Sequence, residues 1–248
     1  LLPENEQLAL SKLSVFAGDF SATAANQITG TSIEILGNLV KRSLLKLSND
    51  GLYGFHDVIH QFAKEKCEHA KALFIAHAKY FTKYVQQIKD LSSPEGVTIL
   101  QNHRLDIQAA WSYIVENQVE IPLLTNLLPA LLTIYLRLGP LSDGKIAFNR
   151  SSEKLKKQSK QSELIFQLAI AIGFINLELC EFSELIENSQ TIIEQSPFVH
   201  QHAQAKYLLG QVYSTKGETE KANSVLLQAL SYSEDQNDLH LEMNILIE

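Results

Sequence analysis

The sequence predicts a mostly α-helical protein with one small β-hairpin near its N-terminus. Apolar residues recur at helical spacing through most of the 248 residues. One Asp50-Gly51 pair separates two short runs of β-compatible residues. The C-terminal part of the chain carries a repeated pattern of paired helices.

Composition places the chain among ordinary folded proteins, with 45% hydrophobic and 20% charged residues. A net charge of -7 argues against a dominant nucleic-acid or membrane surface, because such surfaces need clustered Lys and Arg. The two cysteines, Cys67 and Cys180, provide neither a disulfide framework nor a CxxC metal site. We therefore expect a cytoplasmic protein that does not bind membranes.

Three short helices are expected before the hairpin. The first covers residues 4–17 and ends at Gly18, where a C-terminal glycine belongs. The second begins after Ser21, a plausible N-cap, and stops at Gly30. The third begins near Ser32 and has a strongly apolar face.

The hairpin follows these helices directly. Leu45 and Leu47 precede the Asp-Gly turn, and Tyr53 and Phe55 follow it. Asp-Gly favours this turn because glycine readily adopts a positive φ. Three helices followed by a hairpin is the element order of a winged helix, which we assign to residues 1–68.

After the hairpin the sequence is helical almost without interruption. The segment over 121–138 is apolar on most sides, but Asn126, Pro129 and Arg137 interrupt it, which favours a buried helix over a membrane span. The helices are expected near 57–68, 70–89, 95–117, 121–138, 141–158, 163–179, 182–195, 201–215, 219–233 and from 237 onward.

Residues 203–236 match the spacing of a tetratricopeptide repeat (TPR). The matching positions include Gly210, Tyr213, Ala222 and Ala229. Gly210 and Ala222 are small enough to let the two helices of a repeat approach each other. Ala229 is expected to pack against the following repeat.

A weaker copy precedes this repeat. Gly173 and Pro197 occupy the matching positions, but Leu185 and Ile192 replace small residues. The copy is therefore a degenerate TPR.

These patterns divide the remainder of the chain into two segments. Residues 69–160 form a helical linker or degenerate helical repeats, and residues 161–248 form TPR-like repeats. The second segment is an α-solenoid whose open faces are available to a partner. Helix-like sequence at both ends suggests a fragment of a longer protein in which the repeats continue.

His56 and Asp57 lie directly before a predicted amphipathic helix, and His60 follows one turn later. The two histidines could face one metal ion, but there is no third ligand nearby and no HExxH pattern. Catalysis would need a nucleophile or a second carboxylate, and no such motif occurs. We therefore predict no metal site, no catalytic residues and no enzymatic activity in this chain. Asp57 suits the first turn of a helix, where the helix dipole favours a negative charge, but this does not explain why His56 precedes it.

A family resemblance supplies a role for the histidine. The stretches "LSVFAGDFSATAANQ" and "ILGNLVKRSLLKLSNDGLYGFHDVIHQFAKEK" resemble the winged-helix region of STAND NTPases, which include bacterial AfsR- and MalT-type regulators. Phe55-His56-Asp57 stands where this family carries Met-His-Asp, with phenylalanine replacing methionine. Residues 102–111 and 136–155 resemble the helical stretch that precedes the TPRs in AfsR-like members.

The resemblance implies that His56 contacts the β-phosphate of ADP on an upstream nucleotide-binding domain of the same chain. Asp57 would support the local backbone, and the contact would hold an inactive state. This sequence contains no GxxxxGK[ST] motif, so ADP or ATP is implied only for the full-length protein and no cofactor is expected here. A protein or small-molecule inducer would bind the TPR solenoid.

Two other functions stay open. The chain could be a TPR adaptor without any link to a nucleotide, or a DNA-binding winged-helix regulator. The third helix offers Lys41, Arg42 and Lys46 but is otherwise rich in Ile, Leu and Val. Direct DNA binding is therefore disfavoured, because reading base edges requires exposed polar side chains and phosphate-binding cations.

Overall fold

The computed structural model describes residues 2–67, 70–157 and 163–236. In these ranges the protein is mostly α-helical, as predicted, with twelve helices and one two-stranded antiparallel sheet. The elements are α1 (Glu4–Leu13), α2 (Ala22–Thr29), α3 (Ile33–Lys41), β1 (Leu45–Leu47), β2 (Tyr53–Phe55), α4 (Asp57–Glu65), α5 (Ala70–Gln86), α6 (Pro94–Asn117), α7 (Pro122–Arg137), α8 (Leu141–Lys156), α9 (Glu163–Glu178), α10 (Phe182–Gln195), α11 (Val199–Thr215) and α12 (Thr219–Gln236). The helix predicted from residue 237 onward lies outside the described residues.

The chain divides into two compact units, Leu1–Ile134 and Tyr135–Glu248. The segment bounds proposed from the sequence, 1–68, 69–160 and 161–248, stay a prediction.

In the first unit, the three helices and the hairpin follow each other in the predicted order. Ser21 caps α2 by accepting a hydrogen bond from the Ala24 amide, and Gly30 ends α2 with φ of 73°. Gly51 has φ of 78°, as the Asp-Gly turn requires. The two strands pair with Leu47 opposite Tyr53 and Leu45 opposite Phe55.

A short backbone pairing links the α1–α2 connection to the hairpin. The Phe20 amide donates to the Tyr53 carbonyl, and the Tyr53 amide donates to the Phe20 carbonyl, each at 2.8 Å. Phe20 is buried and stacks on Phe16 with a ring separation of 4.3 Å. The hairpin is therefore fixed to the α1–α2 connection.

The prediction that α1 extends to residue 17 is wrong, because the helix ends at Leu13. The chain then turns, and the Ala17 amide donates to Oδ1 of Asp106 on α6 at 2.8 Å instead of continuing the helix. A Cβ on Gly18 would lie 3.3 Å from Oδ2 of Asp106. Gly18 therefore permits a close approach to α6 and does not cap α1.

Asp106 is fully buried and also accepts a hydrogen bond from Nε2 of His77 on α5, at 2.8 Å. The His77 ring lies between Phe16 and Phe81, at ring separations of 5.8 and 4.7 Å. A buried carboxylate must be matched by hydrogen-bond donors, since water cannot reach it. This contact therefore joins the α1–α2 connection, α5 and α6 in one core.

Helix α7 is buried along most of its length, in agreement with the interpretation of its sequence as a buried helix. Leu124, Leu127, Leu131 and Ile134 are fully inaccessible to solvent. In the part of the chain that the structure describes, no helix is both long enough and apolar enough to cross a bilayer.

In the second unit, neighbouring helices stack in the manner of a helical repeat. Helix α9 packs against α10, and α11 packs against α9, α10 and α12. Leu185 and Ile192, which replace the small residues of a TPR, are buried in the apolar cluster between these helices. The larger side chains of the degenerate copy thus fill its core.

Helices α11 and α12, which form the repeat predicted over residues 203–236, contact each other closely at small residues. A Cβ on Gly210 would lie 2.5 Å from Cγ of Leu226, so a larger residue at position 210 would force the Leu226 side chain or α12 to shift. Ala222 is buried, and Ala229 is buried in a small cluster with Ala203. The repeat against which Ala229 is predicted to pack lies outside the described residues.

Replacing Asp106 with alanine should strongly destabilise the first unit. The change leaves the Ala17 amide and the buried His77 Nε2 without their acceptor, at a cost of about 3 kcal/mol. Urea unfolding followed by the fluorescence of Trp111, the single tryptophan and a buried residue of α6, measures the change. Gln101→Ala, an exposed change on the same helix, is the control and should stay within about 0.5 kcal/mol of the native chain. Equal effects of the two substitutions would show that the Asp106 contacts do not stabilise the fold.

Replacing Gly210 with alanine should destabilise the second unit, although alanine favours helices. Steric overlap with Leu226 should outweigh the propensity gain and leave a net loss of about 1 kcal/mol or more. Gly37→Ala is the matched control, because a Cβ there meets nothing within 4 Å, and it should stabilise α3 by up to about 1 kcal/mol. Thermal unfolding by circular dichroism should shift in opposite directions for the two variants. A stabilising Gly210→Ala change would contradict the close packing of α11 on α12.

Candidate functional site

His56 is the single residue between β2 and α4, and its side chain is exposed to solvent. Its backbone is extended, with φ of −81° and ψ of 139°, and its side chain does not cap the helix. Asp57 begins α4 and is also exposed. Both side chains are therefore available to another molecule or domain. The role at an ADP phosphate that the family resemblance implies for them stays a prediction.

The backbone on both sides of His56 is held by hydrogen bonds. Tyr53 is paired with Phe20 on the N-terminal side. On the C-terminal side, the His60 amide donates to the His56 carbonyl at 2.9 Å, which is the first helical hydrogen bond of α4. The junction between strand and helix therefore leaves little backbone freedom at His56.

A glycine next to this junction is packed against a carboxylate. Gly54, in the middle of β2, is buried, and a Cβ at this position would overlap the Asp19 carboxylate. Glycine at position 54 therefore lets the Asp19 carboxylate lie directly against β2, and a larger residue would displace that side chain.

His60 points into the first unit instead of toward His56. Its Nε2 atom is 3.0 Å from the carbonyl oxygen of Ser14, which can only accept, so Nε2 carries the hydrogen. Its ring stacks on Phe55 with a centroid separation of 5.0 Å. Across residues 2–67, 70–157 and 163–236, no group of three or more His, Cys, Asp or Glu side chains is placed to hold a metal ion.

Two apolar side chains on α4 are exposed beside His56. Val58 is 79% exposed and Phe62, one turn later, is 57% exposed. We call these two residues the α4 apolar edge. The Lys66 ammonium lies 5.9 Å from the Phe62 ring centre. Neighbouring exposed apolar side chains are often part of an interaction surface.

The exposed side of α3 is poorly suited to DNA. Ile33 is 66% exposed, and Glu34 and Lys41 are exposed with it. Arg42 forms an ion pair with Glu6, whose carboxylate lies 3.0 Å from the Arg42 Nε atom. One of the three cations considered for phosphate binding is therefore already paired within the protein.

Two groups with shifted pKa values lie away from His56, one in each unit. Burial lowers the pKa of His103, next to the Asp106 pocket, and the Asp106 charge only partly opposes this. In the second unit, burial acts to lower the pKa of Lys145, but contacts with Glu181 and Glu184 outweigh it and raise the pKa. Lys145 consequently stays charged and links α8 to the start of α10.

Sequence reasoning missed the roles of Asp106, His77 and His60. Asp106 lies in the stretch "NHRLDIQAAW", whose apolar residues predict a buried helix face, so a carboxylate there could have signalled a buried partner. Nothing in the local sequence identifies that partner, because His77 and Ala17 are 29 and 89 residues away.

No family model matches the chain, and no curated protein matches it. A similar solved structure is that of a signal transduction ATPase with numerous domains (STAND) protein with a tetratricopeptide repeat sensor, from Pyrococcus horikoshii. It shares 16% sequence identity with a TM-score of 0.33, over 98% of this chain and 46% of that chain. This chain therefore spans less than half the length of that protein.

Proposed function

We propose that this chain is the winged-helix and TPR sensor region of a bacterial, AfsR/MalT-like STAND ATPase or transcriptional regulator. The chain would have no enzymatic activity of its own. His56 would contact the β-phosphate of ADP on an upstream nucleotide-binding domain, with Asp57 supporting the start of α4. The observation that carries this proposal is the exposed His56 side chain at the start of α4, beside the α4 apolar edge.

The electrostatics of this position suit a phosphate. The unpaired amides at the start of a helix create a positive potential, which favours an anion. An imidazole N–H can donate to a phosphate oxygen, and a protonated imidazole adds a positive charge. Asp57 opposes this potential, so its proposed role is to hold the backbone at the helix start and not to bind the phosphate.

The α4 apolar edge supports a docking domain in addition to a nucleotide. A phosphate alone would not cover Val58 and Phe62, whereas a protein surface beside the nucleotide would. The proposed ADP-bound state therefore combines burial of this edge with one histidine–phosphate contact.

The solenoid would supply the signal in this proposal. An inducer, either a protein or a small molecule, would bind the helical repeats of the second unit. It could release the inactive state only by binding the active state more tightly, since equal affinity for both states shifts no population.

A TPR adaptor without a nucleotide link is the second candidate. The close contact of Gly210 with Leu226 favours it, because a packed helix-pair repeat can bind a partner whether or not a nucleotide is present. A Walker A lysine in the gene upstream of this sequence would favour the STAND proposal over the adaptor.

Replacing His56 with alanine in the full-length protein should speed the release of ADP. Loss of one hydrogen bond to a charged phosphate is worth about 1.5 to 3 kcal/mol, or about tenfold or more in the dissociation rate. Stopped-flow displacement of a fluorescent ADP analogue measures this rate, and Gln61→Ala, an exposed change on the same helix, serves as the control. An unchanged rate for His56→Ala in a protein that does bind ADP would refute the sensor role.

A further inference from the structure

We infer that His60 is a positioning residue, which fixes the backbone of His56. The inference rests on the proposed function, since it concerns the same site. The Nε2–H group of His60 donates to the carbonyl of Ser14, the C-cap residue of α1, at 3.0 Å. A side chain in the first turn of α4 is thereby attached to the C-terminal end of α1.

The same imidazole also holds the residue before His56. It stacks on Phe55 with a ring separation of 5.0 Å and an interplanar angle of 29°. Through its backbone amide, His60 further binds the His56 carbonyl at 2.9 Å. One residue thus restrains His56 from both sides and anchors the whole junction to α1.

Histidine meets both geometric requirements of this position. Contact with Phe55 needs a flat ring, and contact with Ser14 needs a donor at the far edge of that ring. Leucine would supply only apolar contact, while glutamine would supply a donor of similar reach without the stacking. Phe55 provides the flat surface on which the His60 ring lies. The STAND family, which this segment resembles, has methionine at that position.

Positioning matters here because the His56 side chain has no capping contact of its own. An exposed ring on a mobile backbone would lose entropy when it binds a phosphate, and this loss would weaken the contact. With the backbone held, only the side-chain torsions remain to be ordered.

The first test measures the junction in the 248-residue chain, without nucleotide. Amide ¹⁵N relaxation of His56 and Asp57 should give order parameters near 0.85 in the native chain, typical of rigid backbone. His60→Leu should lower them toward about 0.6, His60→Gln should preserve most of the order, and the control Gln61→Ala should change nothing. Trp111 fluorescence establishes that each variant remains folded. Unchanged order in folded His60→Leu would overturn the inference.

The second test uses the full-length protein and ADP release. His60→Leu should speed release severalfold, and it should add little when His56 is already alanine, because the two residues act on one contact. Full additivity would show that His60 stabilises the fold without positioning His56, and would overturn the inference. No effect of His56→Ala on ADP release would instead overturn the proposed function, while the relaxation result would still decide whether His60 orders the junction.

Discussion

The buried Asp106 carboxylate is the interaction on which the N-terminal unit depends. Because water cannot reach it, it needs hydrogen-bond donors within the protein, and the Ala17 amide and His77 both donate to its Oδ1 atom. These contacts determine where the chain goes after α1, and three residues later Phe20 pairs with Tyr53 of the hairpin. The hairpin in turn places His56 at the start of α4. A continuous series of short contacts therefore leads from α6 to the proposed sensor residue.

This connection bears on how a signal could reach His56. The α1–α2 connection, α5 and α6 share the core around Asp106, so we expect the site surface and these two helices to move as one body. Under the proposed function, a signal from the solenoid would act by displacing this whole body from the nucleotide, without bending α4 locally. The exposed α4 apolar edge would then be covered in the inactive state and uncovered in the active state.

Local sequence signals were sufficient for most of the fold. Asp50-Gly51 specified the hairpin turn, Ser21 and Gly30 marked the ends of α2, and helical periodicity placed the remaining helices within a few residues. The end of α1 was predicted wrongly because Gly18 resembles a helix stop, while its actual constraint is the approach of Asp106, which is remote in sequence. For the same reason the pairing of His77 with Asp106 could not be predicted. At the candidate site, a family resemblance predicts roles for His56 and Asp57, and these stay predictions; the anchoring role of His60 depends on Ser14, 46 residues away, which no local pattern indicates.

Hydrogen exchange at the Ala17 amide tests most directly whether Asp106 holds this unit together. Ala17 lies outside regular secondary structure, and an ordinary amide in such a position exchanges by local opening. If Asp106 fixes this turn to the core, the Ala17 amide should exchange as slowly as those of the buried residues Ile107 and Ile114 in α6, through unfolding of the whole unit. Rapid exchange at Ala17 while the α6 amides stay protected would contradict this view of the protein.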